Sequence, residues 1–87
     1  MSVVHPQNLS YEPLDPFILD TLTEFSDQEC SQLDLRAWHR QTKGDATANM
    51  YKGYNFRDAL YRLETKGLVE RYFDETEQTI YWRVPRH

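Results

Sequence analysis

Eighty-seven residues, 39% of them hydrophobic and 28% charged, suffice for one domain with one modest core but not for a second lobe closing over a deep substrate cleft. No run approaches the roughly 18 consecutive apolar residues of a membrane span. The opening MSVVHPQNLS lacks the basic end and apolar stretch of a signal peptide, so a cytoplasmic protein is expected. The net charge of −4 is unevenly spread. Residues 1–35 hold seven acids and no Lys or Arg, residues 36–73 hold eight basic residues against four acids, and residues 74–87 hold three acids against two arginines. That sign split points to an anionic partner for the middle of the chain, because the local field governs contact. Aromatics at 14% are frequent enough that some should serve a surface.

Residues 1–13 show no periodicity and contain two prolines, which predicts a flexible arm ahead of a single domain over residues 14–87. LDPFILDTLTEF then opens a helix, with Asp15 as N-cap and Pro16 in the first turn, where a missing N–H costs nothing. Ile18, Leu19, Leu22 and Phe25 form its apolar stripe, and Asp20, Thr23 and Glu24 face water. SDQECSQLDLRAWHRQT is more ambiguous: Ser26 or Ser31 can cap a continuation, and SQLD reads equally as a short extended link. A second helix is expected over about residues 34–42, capped by Asp34 and burying Leu35 and Trp38. KGDATAN follows as a loop bounded by Gly44 and Asn49.

A third predicted helix occupies at least residues 55–66, and Gly53 leaves open an earlier start near Asn49. Phe56, Ala59, Leu60 and Leu63 share one face at 100° per residue, and Gly67 ends the helix. The opposite face carries Tyr54, Arg57, Asp58, Tyr61, Arg62 and Thr65, joined by Tyr51 if the helix starts early. LVERYF and TIYWRV then predict two strands joined by the polar DETEQ, with Ile80, Trp82 and Val84 on one side of the second and Tyr81 and Arg83 on the other.

Catalytic and metal chemistry find little support. His5, His39 and His87 have no ligand spacing to one another or to Cys30, which is a lone cysteine with no disulfide partner. No nucleophile–base constellation and no glycine-rich phosphate loop appears, so neither an enzyme nor a cofactor is expected. His39 reads as a helix-surface residue. Trp38 and Trp82 read as core anchors, with Trp82 half exposed where hairpin and first helix meet as the other option.

Three helices followed by a hairpin, with the third helix ending L-x-x-L-E-x-K-G-L-V-E-R, resemble the winged helix-turn-helix superfamily, including the multiple-antibiotic-resistance and phenolic-acid-decarboxylase regulator groups. The close match covers residues 59–72, and the element order extends it over about 15–84. The resemblance implies an α+β fold of three helices and a two-stranded wing. It also implies sequence-specific binding of double-stranded DNA by a small transcriptional regulator, with the third helix in the major groove. Carried over by position, Tyr54, Arg57, Asp58, Tyr61 and Arg62 face the duplex, and Arg40, Lys43 and Lys52 flank them as phosphate contacts. Arg71 and Arg83 on the strands reach the backbone if the hairpin lies along the duplex. A homodimer is expected, since paired half-sites supply affinity, with the acidic N-terminal segment and the Ile18/Leu22 helix as candidate dimer surfaces. One feature departs from the pattern: the wing tip, Asp74, Glu75 and Glu77, is acidic and would be repelled by phosphates. Winged helices also serve as protein-docking modules, and that remains the alternative, with the acidic N-terminal half or the Tyr-rich third helix meeting another protein.

Overall fold

Seven elements follow one another in the computed structural model, which describes residues 11–85: α1 (Asp15–Glu24), β1 (Cys30–Ser31), α2 (Gln32–Lys43), α3 (Asp45–Ala48), α4 (Gly53–Thr65), β2 (Glu70–Asp74) and β3 (Thr79–Arg83). Helices α1, α2 and α4 pack around one apolar core, and an antiparallel sheet of order β1-β3-β2 closes one side of it. This is an α+β winged helix. Of the expected N-terminal arm, residues 1–10 lie outside the described residues. Its last part is tied down: the Glu12 N–H donates to the Tyr51 hydroxyl at 3.0 Å, and that hydroxyl donates to the Glu12 carbonyl at 2.8 Å.

The apolar stripe of α1 buries Ile18 and Leu22 completely, and Leu14 and Thr21 join them. Full burial of an aliphatic side chain is worth about 1.5–3 kcal/mol. The Ile18/Leu22 stripe is therefore core and cannot be the dimer surface the sequence suggested. Pro16 stands in the first turn as expected, but the N-cap is Leu14, which offers no side-chain bond. Asp15 is drawn away by a stronger partner, the guanidinium of Arg62 on α4, which donates to its two carboxylate oxygens at 2.7 and 3.0 Å.

Helix α2 starts earlier than its expected first residue, 34. Ser31 caps it through a reciprocal box: the Asp34 N–H donates to Ser31 Oγ at 3.1 Å, and the Ser31 N–H donates to Asp34 Oδ2 at 3.0 Å. Asp34 is thus the third residue of the box and not the cap. Leu35 is buried as predicted, whereas Trp38 is half-buried, its ring edge-on to Phe25 at 5.5 Å. The segment expected as a loop forms the one-turn α3, which sinks Ala48 into the core. Arg40 secures it, donating to Asp45 at 3.1 Å and to Asn49 at 3.0 Å.

Helix α4 fulfils the predicted register, with Phe56, Ala59, Leu60 and Leu63 all buried. It begins at Gly53, where the Lys52 N–H donates to Asn55 Oδ1 at 2.7 Å and Gln32 Nε2 of α2 donates to the Gly53 carbonyl at 2.8 Å. Gly67, at φ +75°, ends it: the Leu68 N–H returns to the Leu63 carbonyl and the Gly67 N–H to the Glu64 carbonyl, both at 2.9 Å. Those two bonds make a Schellman stop, which explains why the glycine sits where it does.

In the hairpin, Arg71 faces Trp82 and Phe73 faces Ile80 on the side toward α4, while Tyr72 faces Tyr81 on the other. Trp82 is a buried anchor. The tip turns on Asp74 Oδ1, which accepts from the N–H groups of Thr76 and Glu77 at 2.9 and 3.2 Å. Strand β1 reaches into SQLD at Ser31, where a short extended link was one of the two readings, and its two residues pair with Trp82 and Tyr81.

Candidate nucleic-acid interface

The outward face of α4 follows from its inward one. With Phe56, Ala59, Leu60 and Leu63 turned to the core, Tyr54, Arg57, Asp58, Tyr61 and Arg62 are left exposed. Among them the arginines differ in what holds them. Arg62 is fixed to Asp15 by its two-pronged bond, which raises the guanidinium pKa and holds the Asp15 carboxyl below its usual range. Among the described residues the one carboxylate within ion-pair distance of Arg57 is its neighbour Asp58, at 3.6 Å.

The strand arginines are also engaged. Arg71 donates to both carboxylate oxygens of Glu64 at 2.9 Å, and its guanidinium lies over the Tyr61 and Trp82 rings at 5.1 and 5.5 Å. Arg83 donates to Glu70 at 2.6 Å and to Glu29 at 3.4 Å. Arg40 is taken up by α3, as above. Lys43 turns toward α1, its ammonium 5.9 Å from the Phe17 ring centroid, and stands apart from the α4 face. The ten expected residues thus do not form one surface. Lys52, Tyr54, Arg57, Asp58, Tyr61 and Arg62 lie along the outer side of α4 and its start, Arg71 and Arg83 brace the hairpin, and Arg40 and Lys43 sit at the far end of α2.

The structure adds a residue to that face. A Cβ placed on Gly53 would meet Arg36 Nη1 and Gln32 Nε2, each at 3.5 Å, so Arg36 of α2 stands over the first turn of α4. Among the described residues no carboxylate lies within ion-pair distance of Arg36 or Lys52. Sequence reasoning missed Arg36, because its place over Gly53, one turn after the Gln32 that bonds to the Gly53 carbonyl, follows only from how α2 crosses the start of α4. Arg36, Lys52 and Arg57 therefore surround the end of α4 where unsatisfied backbone N–H groups already favour an anion.

Two sequence expectations are corrected nearby. Tyr51 does not join the outer face; it precedes α4, is buried, and stacks against Tyr11 with centroids 4.8 Å apart. His39 is buried, not on the helix surface, with Phe17, Tyr51 and Phe56 rings near perpendicular to it at 4.9, 5.1 and 5.5 Å. Burial, and then the charges of Lys43 and Arg40, push its pKa down, so the imidazole is held neutral. The signal was its spacing: His39 is one turn beyond Leu35 on the core face. Cys30 is half-buried, and burial raises its thiol pKa. Among the described residues no group of three or more His, Cys, Asp or Glu is placed to hold a metal ion, and no helix is long and apolar enough to cross a membrane.

No protein-family model and no curated protein matches this chain. A solved structure does: a ferric uptake regulator from Francisella tularensis, determined with iron, is similar at a TM-score of 0.64 and 14% identity. The match covers the whole of this chain and 57% of that one, so this chain spans little more than half the length of the regulator it resembles. Identity at that level speaks for the fold, and it agrees with the winged helix described above.

Proposed function

We propose that this winged-helix chain binds double-stranded DNA as a transcriptional regulator, with the N-terminal end of α4 entering the major groove. The observation that carries the reading is the grouping of Arg36, Lys52 and Arg57, with Tyr54 beside them, around the first turns of α4. A guanidinium there can pair bidentately with guanine or clamp a phosphate, and a recognition helix commonly contacts bases through its N-terminal residues. Arg57 is the base reader in this proposal. Arg36 and Lys52 hold phosphates on either side, and Tyr54 and Tyr61 complete the surface. Arg62, Arg71, Arg83 and Arg40 already hold carboxylates and contribute mainly by fixing the elements, and Lys43 stands at the edge of the field. No catalytic step belongs to this reading. The acidic tip stays off the duplex. That similar folds serve as DNA-binding regulators supports the proposal by analogy alone.

The test is a duplex-binding titration at several salt concentrations. Phosphate neutralisation by Arg36 and Lys52 predicts affinity falling as salt rises. Absence of binding even at low salt overturns the proposal and favours protein docking. One observation supports that second reading: an apolar groove beside Arg57, lined partly by Phe73 and Ile80, is a surface a duplex does not need.

A further inference from the structure

A cleft of about 620 Å³ opens between α1 and α2, and none of its lining comes from α4. That volume is in the range of small-molecule sites. Phe17, Asp20 and Glu24 share one side of α1, three and four residues apart, and form one wall. Trp38, His39 and Lys43 of α2 form the other, and Glu12 and Tyr51 complete the lining's chemistry.

The cleft carries unspent negative charge. Among the described residues none of the carboxylates of Glu12, Asp20 and Glu24 has an ion-pair partner. Lys43 is the one cation in the lining, with its ammonium 5.9 Å from the Phe17 ring centroid. An alkylammonium chain is thus already accommodated against one aromatic wall. Three carboxylates against one ammonium leave two negative charges in excess.

His39 brings an unmet polar group to the same cleft. It is only 3% exposed, packed among Phe17, Tyr51 and Phe56. Among the described residues no hydrogen bond reaches either of its ring nitrogens. Every fully enclosed side-chain nitrogen or oxygen among those residues does have a partner, so the imidazole nitrogens are not sealed in. His39 lines this cleft and also one of about 280 Å³ whose lining carries Arg36 and Arg40. Those guanidiniums repel a cation, so of the two the acidic cleft suits an ammonium ligand. A neutral imidazole offers one nitrogen as acceptor, and an ammonium N–H satisfies it.

We infer that the cleft binds an aliphatic diamine, with its methylene chain against Phe17, Trp38 and Tyr51. One ammonium donates to His39, and the other meets the carboxylates of Asp20 and Glu24. Its two charges balance the excess in the lining, and the aromatic faces add cation–π attraction. This site does not rest on DNA binding.

Isothermal titration calorimetry of the intact chain with diaminopentane, at low salt and neutral pH, tests the inference. Pentylamine and pentanol serve as comparisons. The diamine should bind, the monoamine at least about tenfold more weakly, and the alcohol not measurably. Asp20→Asn with Glu24→Gln should weaken diamine binding about tenfold, and so should His39→Phe, which keeps a ring in place and removes the acceptor. Lys43→Gln should tighten binding by removing the competing ammonium. Glu75→Gln, at the distant hairpin tip, should change nothing. Circular dichroism melting checks that each variant is folded. Asp20 and Glu24 are exposed, so their double variant decides the matter even where His39→Phe fails to fold. A parent chain that does not bind the diamine, or binds the monoamine equally well, overturns the inference. Binding indifferent to the carboxylate pair, or weakened as much by Glu75→Gln, marks a diffuse counterion and overturns it as well.

Discussion

The two ends of α4 use the same residue types for different work. Toward its C-terminus Arg62 is pinned to Asp15, Glu64 is pinned to Arg71, Leu63 fills the core, and Gly67 closes the helix with a Schellman stop. Toward its N-terminus Arg57 and Lys52 have no bidentate partner among the described residues, and Arg36 leans over from α2. One end fastens the helix to α1 and to the hairpin, and the other is left available for contact. The lesson is that an arginine's exposure says less about its role than the carboxylates within reach of it.

The largest effect that can break this contrast lies at the fastened end. Leu63→Ala empties a buried position and should cost about 2–5 kcal/mol in denaturant unfolding. A variant as stable as the parent would mean that α4 is not anchored through this face. Next in size is the free end. Arg57→Ala should lose roughly 1–3 kcal/mol of affinity for a specific duplex and relax preference at one position. Arg62→Ala should leave duplex affinity nearly unchanged, and the pair of measurements is the sharpest form of the comparison. If Arg62→Ala weakens binding as much as Arg57→Ala does, the two ends are not functionally distinct.

A third effect concerns the hub beneath the free end. His39 touches Phe56 of α4 and Tyr51 just before it, and its folded pKa lies below the unfolded value. The unfolded chain therefore binds the extra proton first. Stability from this residue is whole above the unfolded pKa of about 6.5 and declines as pH falls through that value toward the lower folded one. Thermal unfolding of the parent and of His39→Phe over this range should show the parent losing stability relative to the variant as the solution is acidified. Parallel curves would mean the imidazole is not desolvated.

The smallest effect belongs to the Asp15–Arg62 fastening, since Arg62 remains about half exposed and solvent screens the pair. Asp15→Asn should cost only about 0.2–1 kcal/mol. The Arg62 bond lowers the folded pKa of Asp15, so this contribution is present above the unfolded value of about 3.9 and is lost as pH falls through the depressed folded value. Comparing parent and Asp15→Asn melting between neutral and strongly acidic pH reads that convergence.

The fastened end was the more legible of the two. Leu60, Leu63 and Gly67 announce themselves by spacing, because a helix stripe and a helix stop are local properties of the chain. Its ion pair was not legible, since Asp15 and Arg62 are 47 positions apart and only the packing of α1 on α4 brings them together. The same holds for β1: two residues form a strand only because β3 lies alongside. Helix α3 escaped notice because a single turn of DATA carries no periodicity to detect. His39 reads outward by its polarity, but its position one turn beyond Leu35 puts it on the core face. At the candidate site, Tyr54, Arg57 and Tyr61 could be placed outward from the helix register, whereas Arg36 depended on knowing how the starts of α2 and α4 cross.

Ser31 has a consequence for motion. It is the last residue of the strand that pairs with β3 and also the cap that starts α2, with no linker between the two. The hairpin is thereby geared to a helix whose Gln32 grips the start of α4. The first turn of α2 is therefore shared between the sheet and the end of α4 that carries the available cations. The hairpin thus has a short route to the start of α4 through Ser31 and Gln32, which a glycine inserted after Ser31 would lengthen.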